Sequence, residues 1–108
     1  MVSFTVRRVL VTGGIGRIGH VTAGHFLVQG TSVTTVDVRN VHQNEAKLRA
    51  AADTGNAAIH CIVDDLLPLH TLDDRYARWE AVGGPFDVLI NNAGRNAFSM
   101  KAGGFIPL

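Results

Sequence analysis

Four apolar runs punctuate this chain, and each is followed or preceded by a stretch with the spacing of a helix. Residues 9–12, 31–38, 57–63 and 86–90 are short and rich in Val, Ile, Leu and Thr, which predicts strands. Between the first two, Ile18, Val21, Thr22, His25 and Phe26 fall on one side of a helical wheel. That stripe predicts a helix over 17–29, buried on that face and ending before Gly30. Residues 44–55 carry good helix formers, a Glu45/Arg49 pair one turn apart, and Gly55 as a stop. Thr71 followed by Asp74 resembles a capping box and predicts a third helix from there to about Val82. The turn residues at 83–85, Gly-Gly-Pro, then introduce the last strand.

A strict strand–helix alternation calls for parallel strands joined by right-handed crossovers. The strands are apolar along their length rather than on alternate positions, which fits a sheet covered by helices on both faces. The expected architecture is therefore a doubly wound parallel α/β sheet of the Rossmann type, with four strands and three helices.

The junction of the first strand and first helix carries three glycines, Gly13, Gly16 and Gly19, at intervals of three. In such a sheet this junction exposes backbone N–H groups and the positive end of the helix dipole, a setting that holds phosphate. Gly13 allows the tight turn, Gly16 a close approach to a pyrophosphate, and Gly19 close packing of helix on sheet. Asp37 ends the second strand eighteen residues after Gly19, near the roughly twenty expected of an acid that accepts hydrogen bonds from a ribose. A carboxylate there repels a 2′-phosphate, so NAD is expected over NADP, with Arg39 two residues on as a softening influence. A turn with no ligand is the plain alternative for the glycines, as is a solvated turn for Asp37. A Gly-Lys-Ser/Thr phosphate loop is excluded, because Arg17 follows Gly16 and His20 follows Gly19.

Residues 86–94, Phe-Asp-Val-Leu-Ile-Asn-Asn-Ala-Gly, supply a second signature. With Leu-Val-Thr-Gly-Gly-Ile-Gly-Arg-Ile-Gly at 10–19, they make the chain resemble the amino-terminal half of a short-chain dehydrogenase/reductase. The resemblance covers residues 6 to about 94. It implies NAD(P)-dependent oxidoreductase chemistry and a set of cofactor contacts. The backbone from Gly13 through Gly16, with Arg17 and Ile18 and with Gly19 behind it, would face the pyrophosphate, and Asp37 the adenine ribose. Asp65 and Leu66 match the family's acidic-apolar pair beside the adenine, and Asp64 takes that place if the register shifts by one. Asn91, Ala93 and Gly94 match the segment that supports the sheet centre and lines the cofactor cleft. Bonding to neighbouring strand backbone is an equal reading for Asn91 and Asn92.

The chain departs from the family pattern in two places. The usual turn, Thr-Gly-x-x-x-Gly-x-Gly, needs glycine where Arg17 stands. The Thr-Gly-x-x-Gly-x-x-Gly found here is similar to the extended, epimerase-like branch, whereas Asn-Asn-Ala-Gly belongs to the other branch. More consequentially, the family's proton transfer rests on a tyrosine with a lysine four residues later, whose charge lowers the tyrosine pKa. The single tyrosine of this chain is Tyr76, and Glu80 stands four residues on. No catalytic residue is therefore assigned, and Ser99 and Lys101 are read as part of a loop over 95–108. The expectation is a cofactor-binding half that is not catalytic alone, a fragment whose parent would hold the small-molecule substrate. A dinucleotide-sensing module without catalysis is the alternative, and a truncation without function is a third reading.

Composition narrows the partners further. A formal net charge of +1, with basic residues scattered, argues against a nucleic-acid partner. No apolar run reaches the length of a membrane span. One cysteine, Cys61, excludes an internal disulfide, and a cytoplasmic location is the default expectation. The five histidines lack a recognised ligand spacing, so no metal is expected. His25 is read as packed within the helical stripe, and Tyr76, Trp79 and Phe86 as packing aromatics. Strand 86–90, as an expected sheet edge, invites self-association.

Overall fold

The computed structural model describes residues 7–65 and 69–92. Its elements run β1 (Arg8–Thr12), α1 (Gly19–Val28), β2 (Ser32–Asp37), α2 (His42–Gly55), β3 (Ile59–Val63), a single 3-10 turn at Leu69–Thr71, α3 (Leu72–Gly83) and β4 (Val88–Asn91). All pairings are parallel and the sheet order is β3-β2-β1-β4. The chain thus travels outward from β1 to β3, then crosses back to lay β4 on the other side of β1. This reversal opens a crevice beyond the carboxyl ends of β1 and β4, the place where open α/β sheets bind ligands.

Two apolar layers sandwich the sheet. Val9 and Val11 of β1 and Val33 of β2 face α1 and α2, where they meet Ala23, Leu27, Leu48 and Ala52. Leu10 and Val36 face the other way, against Trp79 of α3 with Tyr76, Leu72 and Phe86 around it. Full burial of a Leu or Val side chain contributes about 1.5–3 kcal/mol, so this strand-centred core is the main stabilising mass. Strands β1 and β2 are buried almost throughout, while β4 alternates half-buried and exposed positions. The alternation reflects its place at the end of the sheet: Val88 and Ile90 pack on the α1–α2 layer, and Leu89 is 58 % exposed.

The buried face of α1 differs from the one its apolar stripe predicts. Gly19, Ala23 and Leu27 are the buried positions, whereas Ile18 and Val21 are 71 % and 64 % exposed. The cause is the contact at the helix start. A Cβ on Gly19 would lie 1.9 Å from the Gly13 carbonyl oxygen, so the helix seats Gly19 and Ala23 inward with Leu27 and turns Ile18 and Val21 out. His25 consequently faces solvent, with its Nε2 3.2 Å from the Gln29 side-chain amide.

Two expected helix ends differ in detail. Helix α2 runs through Gly55 and stops at Asn56, which adopts the left-handed conformation (φ 54°). Thr71 precedes α3 without a side-chain capping bond; its hydroxyl instead accepts a hydrogen bond from Arg75 Nε at 3.1 Å.

Candidate dinucleotide site

The glycine turn begins where β1 ends. Gly13 takes a positive φ of 70°, and its N–H donates to the Val36 carbonyl at 2.7 Å. This bond ties the turn to the end of β2. The Gly16 N–H then closes the loop by donating to the Gly13 carbonyl at 3.2 Å. Gly19 backs onto Gly13, as described above. Gly14 was not singled out in the sequence pattern, yet a Cβ there would sit 2.6 Å from Thr35 Cγ2. Gly13 and Gly14 thus fold the turn tightly onto β2 and Gly19 packs against Gly13, whereas Gly16 has room beside it. The nearest atoms to a Cβ placed on it are the Gly13 oxygen at 3.4 Å and Asp37 Oδ2 at 3.9 Å.

Asp37 thus lies beside the turn, as a ribose-facing acid would. Its other carboxylate oxygen accepts the Val38 N–H at 2.8 Å. Arg17 and Ile18 are exposed at the lip of the turn, and the amides of Arg17, Ile18 and Gly19 donate to no acceptor among the described residues. These are the orphan donors expected ahead of and at a helix start. The turn is braced from two sides. Nδ1 of His20 lies 2.7 Å from the Gly16 carbonyl oxygen, and Nδ2 of Asn44 in α2 donates to the Ile15 carbonyl at 2.8 Å.

A polar string continues past Asp37. Asn40 Nδ2 donates to Glu45 Oε1 at 2.7 Å, and Arg49 closes on the other oxygen of the same carboxylate. The Asn40 hydrogen bond first, and the Arg49 contact second, hold the Glu45 carboxyl below its ordinary value. The Glu45/Arg49 pair read from the sequence is therefore present, with Asn40 as a third member.

The two acids after β3 have separate tasks. The Asp64 N–H donates to the Asp37 carbonyl at 2.8 Å, which aligns the ends of β2 and β3. The Asp64 side chain turns inward: Trp79 Nε1 donates to it at 2.9 Å and Arg75 lies 3.8 Å away. Burial pulls the Asp64 carboxyl upward, but the indole and the Asp65 amide, with the charges of Arg75 and Arg78, outweigh it and leave it below the ordinary value. Asp64 thus anchors α3, and Asp65 is the exposed acid of the pair. Leu66, Ala93 and Gly94 lie outside the described residues.

Asn91 is the last residue of β4, opposite Thr12 in the register. Thr12 Oγ1 donates to Asn91 Oδ1 at 2.7 Å, and the Asn92 N–H donates to the Thr12 carbonyl at 3.0 Å. The asparagine segment is thereby fastened to the residue that opens the glycine turn. Thr12 and Asn91 also border a groove of about 280 Å³ on the α3 face, walled by Leu10, Tyr76, Trp79 and Leu89. Tyr76 is held edge-on between Trp79 and Phe86, at ring-centroid distances of 6.2 and 6.1 Å. Burial first, and the Glu80 charge second, push its phenol above the ordinary value, opposite to what proton transfer needs. Cys61 behaves as a half-buried thiol whose pKa is raised chiefly by burial. Among the described residues, no group of three or more His, Cys, Asp or Glu side chains is placed to hold a metal. Nor is any described helix long and apolar enough to cross a membrane.

Comparison with known proteins places this geometry in context. The family model described as short chain dehydrogenase matches residues 7–103. No curated protein matches the chain. Among solved structures, a 3-oxoacyl-[acyl-carrier protein] reductase from Brucella melitensis is similar at 25 % identity and a TM-score of 0.72, over 88 % of this chain and 37 % of its own. A short-chain dehydrogenase/reductase from Sinorhizobium meliloti gives 25 % identity and a TM-score of 0.67, over 93 % and 46 %. An NADH-dependent reductase solved with NAD gives 25 % identity and a TM-score of 0.68, over 83 % and 37 %. The chain spans less than half the length of each of these proteins. Its sheet order, glycine turn and matched residues agree: the chain belongs to the short-chain dehydrogenase family.

Proposed function

We propose that this chain binds a nicotinamide dinucleotide at the glycine turn, NAD in preference to NADP, as the cofactor-binding half of a short-chain dehydrogenase. The observation that carries the reading is the juxtaposition of Gly16 and Asp37, with room on Gly16 for a ligand and a carboxylate 3.9 Å from its missing Cβ. A diphosphate laid over Gly16 meets the unpaired amides of Arg17, Ile18 and Gly19 at the positive end of α1. The ribose beyond it reaches Asp37, whose carboxylate accepts hydroxyl protons and repels a 2′-phosphate. By the family resemblance, Asp65 and Leu66 would stand beside the adenine, and Asn91, Ala93 and Gly94 would line the cofactor cleft. Solved relatives that carry NAD, the NADH-dependent reductase and a xylitol dehydrogenase, support the same cofactor class.

When bound, such a cofactor supplies hydride acceptance or donation at its nicotinamide ring. This chain's own residues bind and orient it. The single tyrosine is held in an aromatic stack and has Glu80, not a lysine, four residues on, so in this reading the described residues hold the cofactor and supply no tyrosine–lysine pair for proton transfer. Calorimetric titration of the chain with NAD and with NADP tests the reading. Saturable one-to-one binding, tighter for NAD, is expected. Absence of saturable heat with either dinucleotide refutes it.

A further inference from the structure

The glycine turn contains a peptide unit held at both ends by different parts of the fold. Between Ile15 and Gly16, the carbonyl oxygen accepts a hydrogen bond from Asn44 Nδ2 at 2.8 Å. The N–H of the same peptide donates to the Gly13 carbonyl at 3.2 Å. The Ile15 side chain is fully buried in the α1–α2 core, so the residue is fixed on its apolar side as well. Asn44 comes from the first turn of α2, twenty-nine residues away. It is a half-buried residue on a helix otherwise anchored by Leu48 and Ala52.

We propose that Asn44 is a positioning residue for the diphosphate of a bound dinucleotide, acting by keeping the Ile15–Gly16 peptide from flipping. The inference rests on the dinucleotide reading of the glycine turn given above. Its physical basis is the glycine content of the segment. Gly14 and Gly16 flank Ile15, and glycine lacks the steric restriction that normally holds a peptide plane. A peptide in such surroundings rotates at low cost unless both its polar ends are tied. Rotation of the Ile15–Gly16 plane would turn its carbonyl oxygen the way its N–H now points, against the Gly13 carbonyl oxygen, and so break the Gly16–Gly13 bond that closes the turn carrying the amides of Arg17, Ile18 and Gly19. Asn44 opposes this without touching the ligand. It also couples the turn to α2, the helix that begins five residues after Asp37, so the phosphate and ribose ends of the site share one support.

Removal of the Asn44 donor should therefore weaken ligands that carry a diphosphate and spare ligands that do not. The test uses the full chain with ADP and adenosine as probes. ADP engages the turn and the ribose acid, and adenosine engages the ribose acid alone. Asn44→Ala is expected to weaken ADP binding about tenfold, the effect of one lost hydrogen bond of ordinary strength, with adenosine binding unchanged within twofold. Asn44→Leu, which keeps the bulk and deletes the donor, is expected to do the same and serves if the alanine variant folds poorly. Leu48→Ala, a core change one turn along the same helix, is the control: it lowers the melting temperature and leaves the ratio of ADP to adenosine affinity unaltered. Unchanged ADP affinity in folded Asn44→Leu overturns the positioning role alone, and so does an equal loss for both ligands. Failure of the unaltered chain to bind ADP overturns the dinucleotide reading, and this inference falls with it.

Discussion

Alanine substitution at two glycines of the same turn should have opposite consequences, because their surroundings differ by more than an ångström. A Cβ on Gly19 would stand 1.9 Å from the Gly13 carbonyl oxygen, 2.8 Å from its carbonyl carbon and 2.8 Å from Gly14 Cα. All three are backbone atoms of a turn pinned to β2 by the Gly13–Val36 bond, so none can swing aside as a flexible side chain would. Relief requires α1 to move off the sheet, and α1 carries Ala23 and Leu27 into the core. Overpacking of this kind costs about 1–3 kcal/mol and occasionally more, and a backbone-on-backbone clash belongs at the upper end. At about 4–8 °C per kcal/mol for a domain near this size, Gly19→Ala should melt roughly 10–20 °C below the parent chain. A Cβ on Gly16 meets nothing closer than 3.4 Å, and Gly16 has no positive φ. Gly16→Ala should therefore hold stability within about 0.5 kcal/mol of the parent. Its methyl group instead occupies the space over the turn, and NAD affinity should fall about tenfold or more. Thermal unfolding followed by circular dichroism, paired with NAD calorimetry, reads both effects. A Gly16→Ala protein as destabilised as Gly19→Ala, or one that binds NAD normally, refutes the assignment of packing to one glycine and ligand approach to the other.

Further outcomes follow from other residues. Asp37→Ala should weaken NAD and narrow or reverse its advantage over NADP, measured as the ratio of the two dissociation constants; an unchanged ratio removes Asp37 from the ribose site. Asp87 accepts the N–H groups of Arg7 and Arg8 at 2.9 and 3.0 Å, and these bonds hold its carboxyl below the ordinary value. Its contribution is therefore present above the unfolded carboxylate pKa of about 3.9 and is lost as pH falls through the lower folded value. The stability gap between the parent chain and Asp87→Asn should close on acidification across that window, followed by melting temperature against pH; a gap that widens toward acid contradicts the sign. Leu89, exposed on the terminal strand β4 beside the apolar groove, is proposed as a point of self-association, so Leu89→Asp should shift sedimentation toward monomer. Identical sedimentation of the two proteins would remove that face from the association.

The doubly wound parallel architecture was legible in the sequence because apolar blocks alternate with helical stretches along the chain. The burial of α1 was not, although its apolar stripe was plain. Wheel arguments assume that the largest apolar residues face the core, whereas here the close approach of Gly19 to Gly13 leaves no room for a Cβ and sets the rotation. The packing of Gly14 was not legible for a related reason: its constraint comes from Thr35 on a neighbouring strand, and no local spacing records such a contact. Asn44 carried no signal at all, since a single asparagine on a helix gains its role only when a loop twenty-nine residues earlier comes within reach. Asp64 and Asp65 look interchangeable in sequence and are separated by the partner each finds in space, with Trp79 and Arg75 claiming the first.

The most direct test of the central claim is a residue-resolved NAD titration of the full chain by amide nuclear magnetic resonance. Saturable shifts concentrated at Gly13–Gly19 and Asp37, absent from the α2 carboxyl end around Asp53, are the predicted result. Shifts that never saturate, or that gather instead around Tyr76 and Trp79 on the opposite face, would contradict the account.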